Sequence, residues 1–443
     1  MDKKKYFSIY HFLQTLITFC IYSPFGGLGG YSFAQSFPTI QYEDKTYEAN
    51  IKTFLLYPMP NRPDDISRTL YPPVVGLSED RVLVGEFDDL SAQYRGFRFK
   101  VKHCNADWTP SVLSDVEFTF QFNDNTIQQY EASFNAKIPY YHYRFELPKF
   151  KLAGNYVLMV YEDSRPAKLI ATKRFMIYDS RVRISPRVQI SSGITEQNTH
   201  QQVDFDINYG SYELISPQED LKIVVRQNFR WDKTLTNLKP TNLKVFESQL
   251  EYRPFDLSNN FAAGNDFRWI DTRIGRGSGI NITEFRQQSN QTTAYLRLDV
   301  PRRGAGASMQ AEDLNGQFIV ENKDAGNSAI ESDYLNVVFS LKIPEDPTAK
   351  VFVNGGFNMW QLNDANAMTF NPTSQVYEAS IFIKQGIVNY DYLIMSNKNT
   401  DEESTEGNYS SVTNDYEIFV YHRPPASRAD VLIGYRLVEF GRK

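Results

Sequence analysis

Cysteine is nearly absent from this chain, which contains only Cys20 and Cys104 among 443 residues. Cys20 falls in an N-terminal segment that we expect to be removed, so the mature chain keeps one cysteine. A single cysteine excludes an intrachain disulfide and a cysteine metal cluster. The fold must therefore be held together by hydrophobic cores, which a chain of this length can provide.

The N-terminus has the pattern of a cleaved secretory signal. Three lysines (residues 3–5) precede a mostly apolar stretch, residues 7–28, and Ser32-Phe33-Ala34 places small residues before a cleavage site. We therefore predict a signal peptide at residues 1–34, which leaves 409 of the 443 residues in the mature protein. A single membrane anchor is the alternative, but Pro24 and four glycines interrupt the apolar stretch.

Positive charge is in deficit, because 47 lysines and arginines face 53 aspartates and glutamates. The predicted signal carries three lysines and one aspartate, so its removal changes the net charge from −6 to −8. A chain this acidic has no electrostatic basis for binding nucleic acid or an anionic lipid surface. No other apolar stretch is long enough to cross a membrane. We therefore expect an exported protein that does not bind nucleic acid and does not insert directly into a membrane.

Catalytic and cofactor motifs are also missing. The sequence has no His-x-x-x-His pair, no glycine-rich phosphate loop before a helix, and no Gly-x-Ser-x-Gly elbow. Acid pairs such as Asp88-Asp89 and Glu402-Glu403 occupy adjacent positions, and adjacent side chains on a strand point to opposite faces. We therefore predict no enzyme activity, no cofactor, no metal site and no small-molecule substrate.

The stretch KVKHCNADWTPS, residues 100–111, places the mature cysteine beside a histidine. Apolar and basic residues alternate over residues 97–102, which predicts a strand with its apolar face toward a core. His103 continues the apolar face and Cys104 the polar one, so the two side chains cannot form the hydrogen-bonded pair that activates a thiolate. We predict that Cys104 has no chemical role.

Aromatic residues are abundant, at 14% of the chain, and they alternate with Thr, Val and Ile in short runs that favour strands. No long helical period occurs. We therefore predict an all-β protein. The predicted strands before the C-terminal region are 51–57, 82–87, 97–103, 117–122, 142–147, 156–161, 173–178, 203–209, 221–227, 249–252, 267–271, 293–298 and 336–341.

We predict three consecutive β-sandwich domains after the signal peptide. Seven short strands in residues 35–180 match the count of an immunoglobulin-like sandwich. A polar stretch after residue 181 and the sequence PEDP at residues 344–347 indicate two boundaries. The middle β domain, with long loops, is then 181–345, and a second immunoglobulin-like sandwich is 346–443.

Tyr156 stands at the start of a predicted strand, in the stretch LAGNYVLMVY. A tyrosine there forms a tyrosine corner if its hydroxyl bonds back to the preceding loop. An ordinary strand tyrosine is the equal alternative.

A set of aromatic-rich stretches runs in order from about residue 50 to the C-terminus: FDDLSAQYRGFRFKVKHCNADWTPS, IPYYHYRFELP, AGNYVLMVYED, RQNFRWDKTLTNLKP, AGNDFRWIDTR, VNYDYLI and NDYEIFVYHRP. Together they resemble the plug proteins of the type IX secretion system. The resemblance implies a periplasmic, all-β, non-enzymatic protein at the inner face of the outer membrane. It also implies one partner, a large outer-membrane β-barrel translocon, which the plug closes when no cargo-loaded shuttle protein occupies it.

Aromatic and polar residues near predicted loops are our candidates for partner contacts, because tryptophan and arginine are enriched at protein interfaces. A core position is the alternative for each tryptophan. The candidates are Asp107, Trp108, Trp231, Asn265, Phe267, Arg268 and Trp269.

A second resemblance gives an alternative function, binding of α-glucans. VFVNGGFNMW, residues 351–360, is similar to glycogen- and starch-binding sandwich modules, in which the tryptophan of this motif stacks on a sugar. That residue is Trp360. The modules carry a lysine where this chain has Asp391, and a second stacking tryptophan is missing. We expect the similarity to be one of fold, with Trp360 packing inside the protein.

Overall fold

The computed structural model describes residues 41–62, 65–274, 279–308 and 313–441. The predicted signal peptide, residues 1–34, lies outside them. The described residues belong to one compact unit, Phe37–Lys443. No helix in this part of the chain is long and apolar enough to span a membrane.

The regular secondary structure is almost entirely strand, as predicted. Strands β1–β10 are Lys45–Thr46, Ile51–Pro58, Val74–Gly76, Leu83–Asp89, Phe97–Cys104, Asn125–Thr126, Gln129–Ala132, Tyr141–Glu146, Gly154–Glu162 and Arg165–Tyr178. Strands β11–β17 are Arg183–Ile190, His200–Asn208, Leu221–Gln227, Thr234–Thr236, Asn242–Lys244, Gln249–Tyr252 and Asn260–Ala262. Strands β18–β27 are Arg268–Asp271, Ile282–Gln287, Thr292–Leu296, Phe318–Val320, Tyr334–Leu341, Ala349–Asn354, Thr369–Asn371, Val376–Lys384, Gly386–Ser396 and Asn399–Asp401. Strands β28 and β29 are Asn414–His422 and Val431–Phe440.

The described helices are short, in agreement with the absence of a helical period in the sequence. The α-helices α1–α4 have four residues each: Asp115–Phe118, Pro217–Asp220, Ser328–Glu331 and Glu403–Glu406. Single 3-10 turns occupy Ile66–Leu70, Val245–Glu247 and Gly356–Asn358.

The first sandwich consists of two facing sheets. One has the order β1-β10-β9-β5-β6, with β3 added to β10, and the other has the order β2-β4-β8-β7. Strand β5 belongs to the first of these sheets and shows the predicted alternation. Phe97, Phe99 and Val101 are buried against the facing sheet, and the basic residues that alternate with them are half-buried. The core of the sandwich is aromatic, with Phe87 stacked on Tyr143 at 4.9 Å.

The other two sandwiches share the rest of the chain. The middle sandwich pairs a sheet of order β11-β12-β16-β15, with β17 added to β12, against a sheet of order β14-β13-β28-β29. The third sandwich pairs the sheet β18-β26-β21, extended by β23 and β27, against the sheet β19-β20-β22-β25-β24. The third sandwich is therefore inserted into the middle one.

This connectivity corrects the predicted division into 181–345 and 346–443. Strand β13 pairs with β28 through Val224 and Phe419, and β22 pairs with β25 through Val337 and Ile381. A boundary at residue 345 would place these partners in different domains. The reason for the error is that the prolines at 344 and 347 mark only the turn between β22 and β23.

One predicted strand, 117–122, is wrong. Its first two residues end helix α1, which begins with a cap in which the backbone N–H of Ser114 donates to the Glu117 carboxylate at 2.8 Å. The cap satisfies backbone donors that a strand would have paired with a neighbour.

Tyr156 forms a tyrosine corner. Its hydroxyl donates a hydrogen bond of 2.7 Å to the carbonyl oxygen of Leu152, in the loop just before β9. Burial raises the pKa of this phenol well above its ordinary value. The bond therefore fixes the loop to the core of the first sandwich, and it decides between the two alternatives left by the sequence.

Candidate functional site

Cys104 and His103 end β5, and both are fully buried. Burial raises the pKa of the Cys104 thiol to about 12 and lowers the pKa of the His103 imidazole to about 4. The His103 ring packs edge-on against Tyr156 at 4.9 Å, whereas Cys104 lies in a separate cluster with Trp108. The two side chains do not form a nucleophile–base pair. The sequence analysis placed Cys104 on the polar face of the strand. In the structure this face is buried, because the middle sandwich covers this end of the sheet.

Trp108 and Trp231 join the first sandwich to the middle one. Their rings meet edge to face at 4.8 Å, and Arg174 stacks over both of them, at 4.6 and 5.2 Å from the ring centroids. Trp108 is only 8% exposed, and Trp231 is half-buried. Asp107, which precedes this pair, is exposed, and its carboxylate accepts a hydrogen bond from the backbone N–H of Thr109 to close a turn.

The stretch Asn265–Trp269 lies where the middle and third sandwiches meet. The Asn265 side chain donates to the Glu406 carbonyl at 2.8 Å, and the Arg268 guanidinium donates to the Glu406 carboxylate at 3.0 Å. Phe267 packs edge-on against Trp360 at 5.8 Å. Phe267, Arg268 and Trp269 are all less than 9% exposed.

The prediction of partner contacts therefore needs correction for four residues, Trp108, Phe267, Arg268 and Trp269. Their side chains are buried within the chain, and that of Trp108 packs across the junction between the first and middle sandwiches. The sequence could not separate this arrangement from surface exposure, because aromatic residues near loops are typical of both. Trp231 and Asn265 are half-buried, and Asp107 is the one exposed member of the predicted set.

A buried ion pair joins the first sandwich to the third. The Asp88 carboxylate accepts hydrogen bonds from the Lys384 ammonium at 2.6 Å and from the Tyr334 hydroxyl at 2.6 Å, and it contacts the His142 ring at 2.7 Å. The Asp88 and Lys384 side chains are 1% and 2% exposed. Burial alone would raise the pKa of Asp88, but Lys384 and His142 lower it overall. Removing either partner would leave the other as an uncompensated charge in the interior.

Trp360 packs within the protein, as expected. It is half-buried, and the Arg230 guanidinium lies 4.2 Å from the centroid of its ring. Arg230 is itself held by carboxylates, including Glu402 at 2.5 Å and Asp391 at 3.4 Å. Among the described residues, no group of histidine, cysteine, aspartate or glutamate side chains is arranged to hold a metal ion.

Comparison with known proteins decides the family. A family model described as "Type 9 secretion system plug protein 1st domain" matches residues 32–179. The crystal structure of a hypothetical protein from Parabacteroides merdae is 30% identical, with a TM-score of 0.84, and the match covers 90% of this chain and 100% of that chain. This chain belongs to the type IX secretion system plug protein family.

Two further comparisons add nothing to the plug family assignment. A trypsin-activated α2-macroglobulin from Escherichia coli is matched at 8% identity over 88% of this chain and 28% of that chain, with a TM-score of 0.17, and this match carries no argument. No curated protein matches this chain. The family is a component of a secretion machinery.

The first domain of this plug family protein exposes an apolar segment that the sequence analysis missed. We define it as Val112, Val116, Phe120 and Phe122, which are 71%, 73%, 67% and 82% exposed. Phe118, which belongs to the same stretch, is fully buried and holds the stretch against the core. The capping pattern S-D-V-E at residues 114–117 was the signal that could have shown a helical turn here, with Val116 pointing away from the core.

Proposed function

We propose that this protein is a periplasmic plug subunit. It binds the periplasmic side of the large outer-membrane β-barrel translocon of the type IX secretion system, and it closes the translocon when no cargo shuttle is bound. Membership of the plug family carries the proposal. The predicted signal peptide, residues 1–34, supports export to the periplasm, and the net charge of −6 favours a protein partner over an anionic lipid surface.

The buried contacts between the sandwiches suit a closing element. The first sandwich is fixed to the middle one by Trp108 and Trp231, and to the third by Asp88 and Lys384. Removing one partner of a buried ion pair costs about 3–5 kcal/mol, so the Asp88–Lys384 contact favours one arrangement of the two sandwiches. A body with fixed internal contacts can occlude an opening without losing conformational entropy on binding.

We propose that the apolar segment contacts the translocon. It belongs to the domain that the plug family model covers. Its backbone is held in place, because the N–H of Lys151 donates to the carbonyl of Phe118 at 2.9 Å and the Asn123 side chain pairs with the backbone of Val101. Large side chains that are fixed and yet exposed mark interaction sites, since burying them gains about 25 cal/mol per Å² of apolar area.

Affinity purification of the tagged protein from envelope extracts tests the proposed function. We expect to recover a very large outer-membrane β-barrel in a fraction that lacks its shuttle subunit. Absence of the barrel, under conditions that preserve other translocon complexes, would reject the plug assignment.

Four serine substitutions at Val112, Val116, Phe120 and Phe122 test the proposed contact surface. Recovery of the barrel should fall by at least about tenfold, since a few interface residues carry most of the binding energy. The matched control replaces Phe246 and Phe255 of the middle sandwich, which are 105% and 99% exposed, with serine. Equal recovery by both variants would exclude this segment as the contact without excluding the plug role.

Deletion of the protein tests closure itself. We expect the outer membrane to become permeable to large antibiotics, and the wild-type protein to restore the barrier. An unchanged barrier in a deletion strain with assembled translocons would contradict the closing role.

A further inference from the structure

A basic cleft opens on one side of the middle sandwich, and the proposed function does not use it. The cleft has a volume of about 520 Å³ and lies where β11 and β29, the edge strands of the two facing sheets, approach each other. Arg181, Arg183 and Arg436 line it, and none of its described lining residues is an aspartate or a glutamate. A cleft whose charges have one sign concentrates their field and attracts groups of the opposite sign.

Two of the three arginines have no counter-ion. Arg181 pairs with Asp179 at 2.6 Å. Arg183 and Arg436 are exposed, and neither forms an ion pair with a carboxylate in the part of the chain that the structure describes. The cleft is therefore a local excess of positive charge on a chain whose net charge is −6.

The acidic residues of β12, the strand beside β11, do not supply the missing counter-ions. Asp206 accepts two hydrogen bonds from the Arg253 guanidinium, at 2.8 and 2.9 Å. Asp204 lies directly opposite Arg187 in the β11–β12 register, and its carboxylate also accepts a hydrogen bond from the Asn259 amide at 2.9 Å. Each of these carboxylates thus has an arginine of its own outside the cleft.

Strand β29 ends its sheet, and the middle of its outer edge is open. With ten residues it is the longest of the described strands that end a sheet. The backbone N–H groups of Asp179 and Arg181 donate to the carbonyls of Leu432 and Ile433, at 2.9 Å each, and cover the beginning of this edge. Over residues 434–438, no described backbone group outside β28 forms a hydrogen bond with β29. An edge of this kind is a template for a further strand.

The edge of β29 lacks the features that commonly block strand addition. Its register with β28 is regular from Gly434 to Phe440, and no proline occurs there. The neighbouring edge strand β11 does contain a proline, Pro186, which has no N–H to donate. A peptide that enters the cleft can therefore form a backbone ladder with β29 more readily than with β11.

The two observations together narrow the occupant to one class. Backbone groups along an edge are matched by another extended backbone, whereas a phosphate or a lipid headgroup would leave them unpaired. The arginines call for carboxylates on that backbone. A second copy of this chain is disfavoured, because pairing two β29 strands would bring like charges at Arg436 together.

We propose that the cleft binds an extended acidic polypeptide segment, which adds to β29 as a further strand. The backbone of the segment pairs with residues 434–438, and carboxylates on its alternate residues pair with Arg183 and Arg436. Alternate residues of a strand share one face, so a segment in which acidic and apolar residues alternate fits best. The inference goes beyond the plug role and does not depend on it.

Titration of the full-length protein with fluorescent heptapeptides, followed by anisotropy, tests the proposal. An acetylated and amidated peptide in which valine and glutamate alternate should bind at millimolar or lower concentration, and more weakly as the salt concentration rises. The same peptide with lysine in place of glutamate should bind at least about tenfold more weakly, because its charges oppose the cleft. N-methylation of alternate residues keeps the glutamates and removes the N–H groups of the peptide, and it should also weaken binding by at least about tenfold.

Charge reversal locates the binding in the cleft. The double variant R183E/R436E should weaken the glutamate peptide by at least about tenfold. The matched control R165E/R297E makes the same change of charge at two exposed arginines outside the cleft, and its affinity should stay within about twofold of the wild type. If R183E/R436E does not fold, the three peptides on the wild-type protein still decide.

Several results would overturn the proposal. Absence of binding at millimolar glutamate peptide, or unchanged binding by a folded R183E/R436E, would reject the cleft as its site. Equal affinity for the N-methylated peptide would show that no backbone ladder forms. Displacement of the peptide by equimolar inorganic tripolyphosphate, or by vesicles of phosphatidylglycerol, would assign the cleft to phosphate groups. Dimerisation of the free protein in competition with the peptide would assign the edge to a second copy.

Discussion

The first sandwich and the two sandwiches that follow it are assembled from the chain in different ways. All strands of the first come from one continuous stretch, from β1 at Lys45 to β10 at Tyr178. The middle sandwich takes β13 from one region and β28 and β29 from the end of the chain, and the third sandwich lies between them in sequence. The first and third sandwiches therefore each use one continuous segment, whereas the middle sandwich is completed by strands that lie before and after the third in the chain.

This difference has consequences for folding. Pairing β13 with β28 closes a long loop, and the entropy of that closure must be offset before the pair contributes stability. The third sandwich shortens the effective loop when it folds first, because its own strands bring the two ends together. We infer that the middle and third sandwiches unfold together, and that the first has a distinct stability linked to theirs through buried contacts.

Fragments should show the largest effect. Residues 346–443 contain β28 and β29 without β13 and β14, and β24 and β25 without β19, β20 and β22, so two of four strands and three of five strands are missing from these sheets. We expect this fragment to show no cooperative thermal transition by circular dichroism, whereas fragments 41–180 and 181–443 should each show one. A cooperative transition in 346–443 alone would mean that the strand exchange is not needed for stability.

Lys384→Met should give the next largest effect, because it breaks the ion pair that joins the first sandwich to the third. Asp88 would remain buried with only His142 and Tyr334 beside it. We expect the free energy of unfolding in urea to fall by about 3–5 kcal/mol. The control Lys149→Met removes a lysine that is 62% exposed and pairs with Asp80, and it should cost less than about 1 kcal/mol. Similar losses in the two variants would show that the buried pair does not couple the sandwiches.

The sequence predicted what depends on neighbouring residues and failed where distant segments meet. The alternation in β5 follows from a local pattern and is present in the structure, whereas the tyrosine corner at Tyr156 is one of two equal alternatives between which the structure decides. The pairing of Val224 with Phe419 depends on segments far apart in the chain, for which a single sequence carries no local signal. For the same reason Trp108 and Trp231 could be taken for surface residues, since each covers the other from a different sandwich.

Asp313→Asn tests the interleaved pair of sandwiches through its pH dependence. Burial, and then the Asp266 carboxylate, raises the pKa of Asp313 from 3.8 to about 7. Because the folded pKa is the higher one, the stability from this group is fully present below about pH 4 and is lost as the pH rises through 7. The asparagine side chain of the variant carries no charge at either pH. We therefore expect the variant to be more stable than the wild type at pH 8, by about 4 kcal/mol, and similar to it at pH 4.

Urea unfolding of both proteins at the two pH values measures this difference. The Thr413 hydroxyl, which donates to Asp313 at 3.0 Å, can accept from the asparagine amide instead, so the local hydrogen bonding is kept. A variant that is less stable than the wild type at pH 8 would show that Asp313 is charged and favourably paired there.

Cys104→Ser should have the smallest effect, and it tests whether the first sandwich carries any thiol chemistry. Burial holds the pKa of the thiol at about 12, so the thiolate is scarcely populated at neutral pH. Serine has nearly the same volume, and its hydroxyl has the Lys102 carbonyl nearby, which the sulfur approaches at 3.8 Å. We expect a loss of about 1 kcal/mol in unfolding free energy, with recovery of the barrel and the permeability barrier unchanged. Loss of barrel recovery in a Cys104→Ser protein that unfolds at the wild-type temperature would assign the thiol a function and would contradict the purely structural role of this strand end.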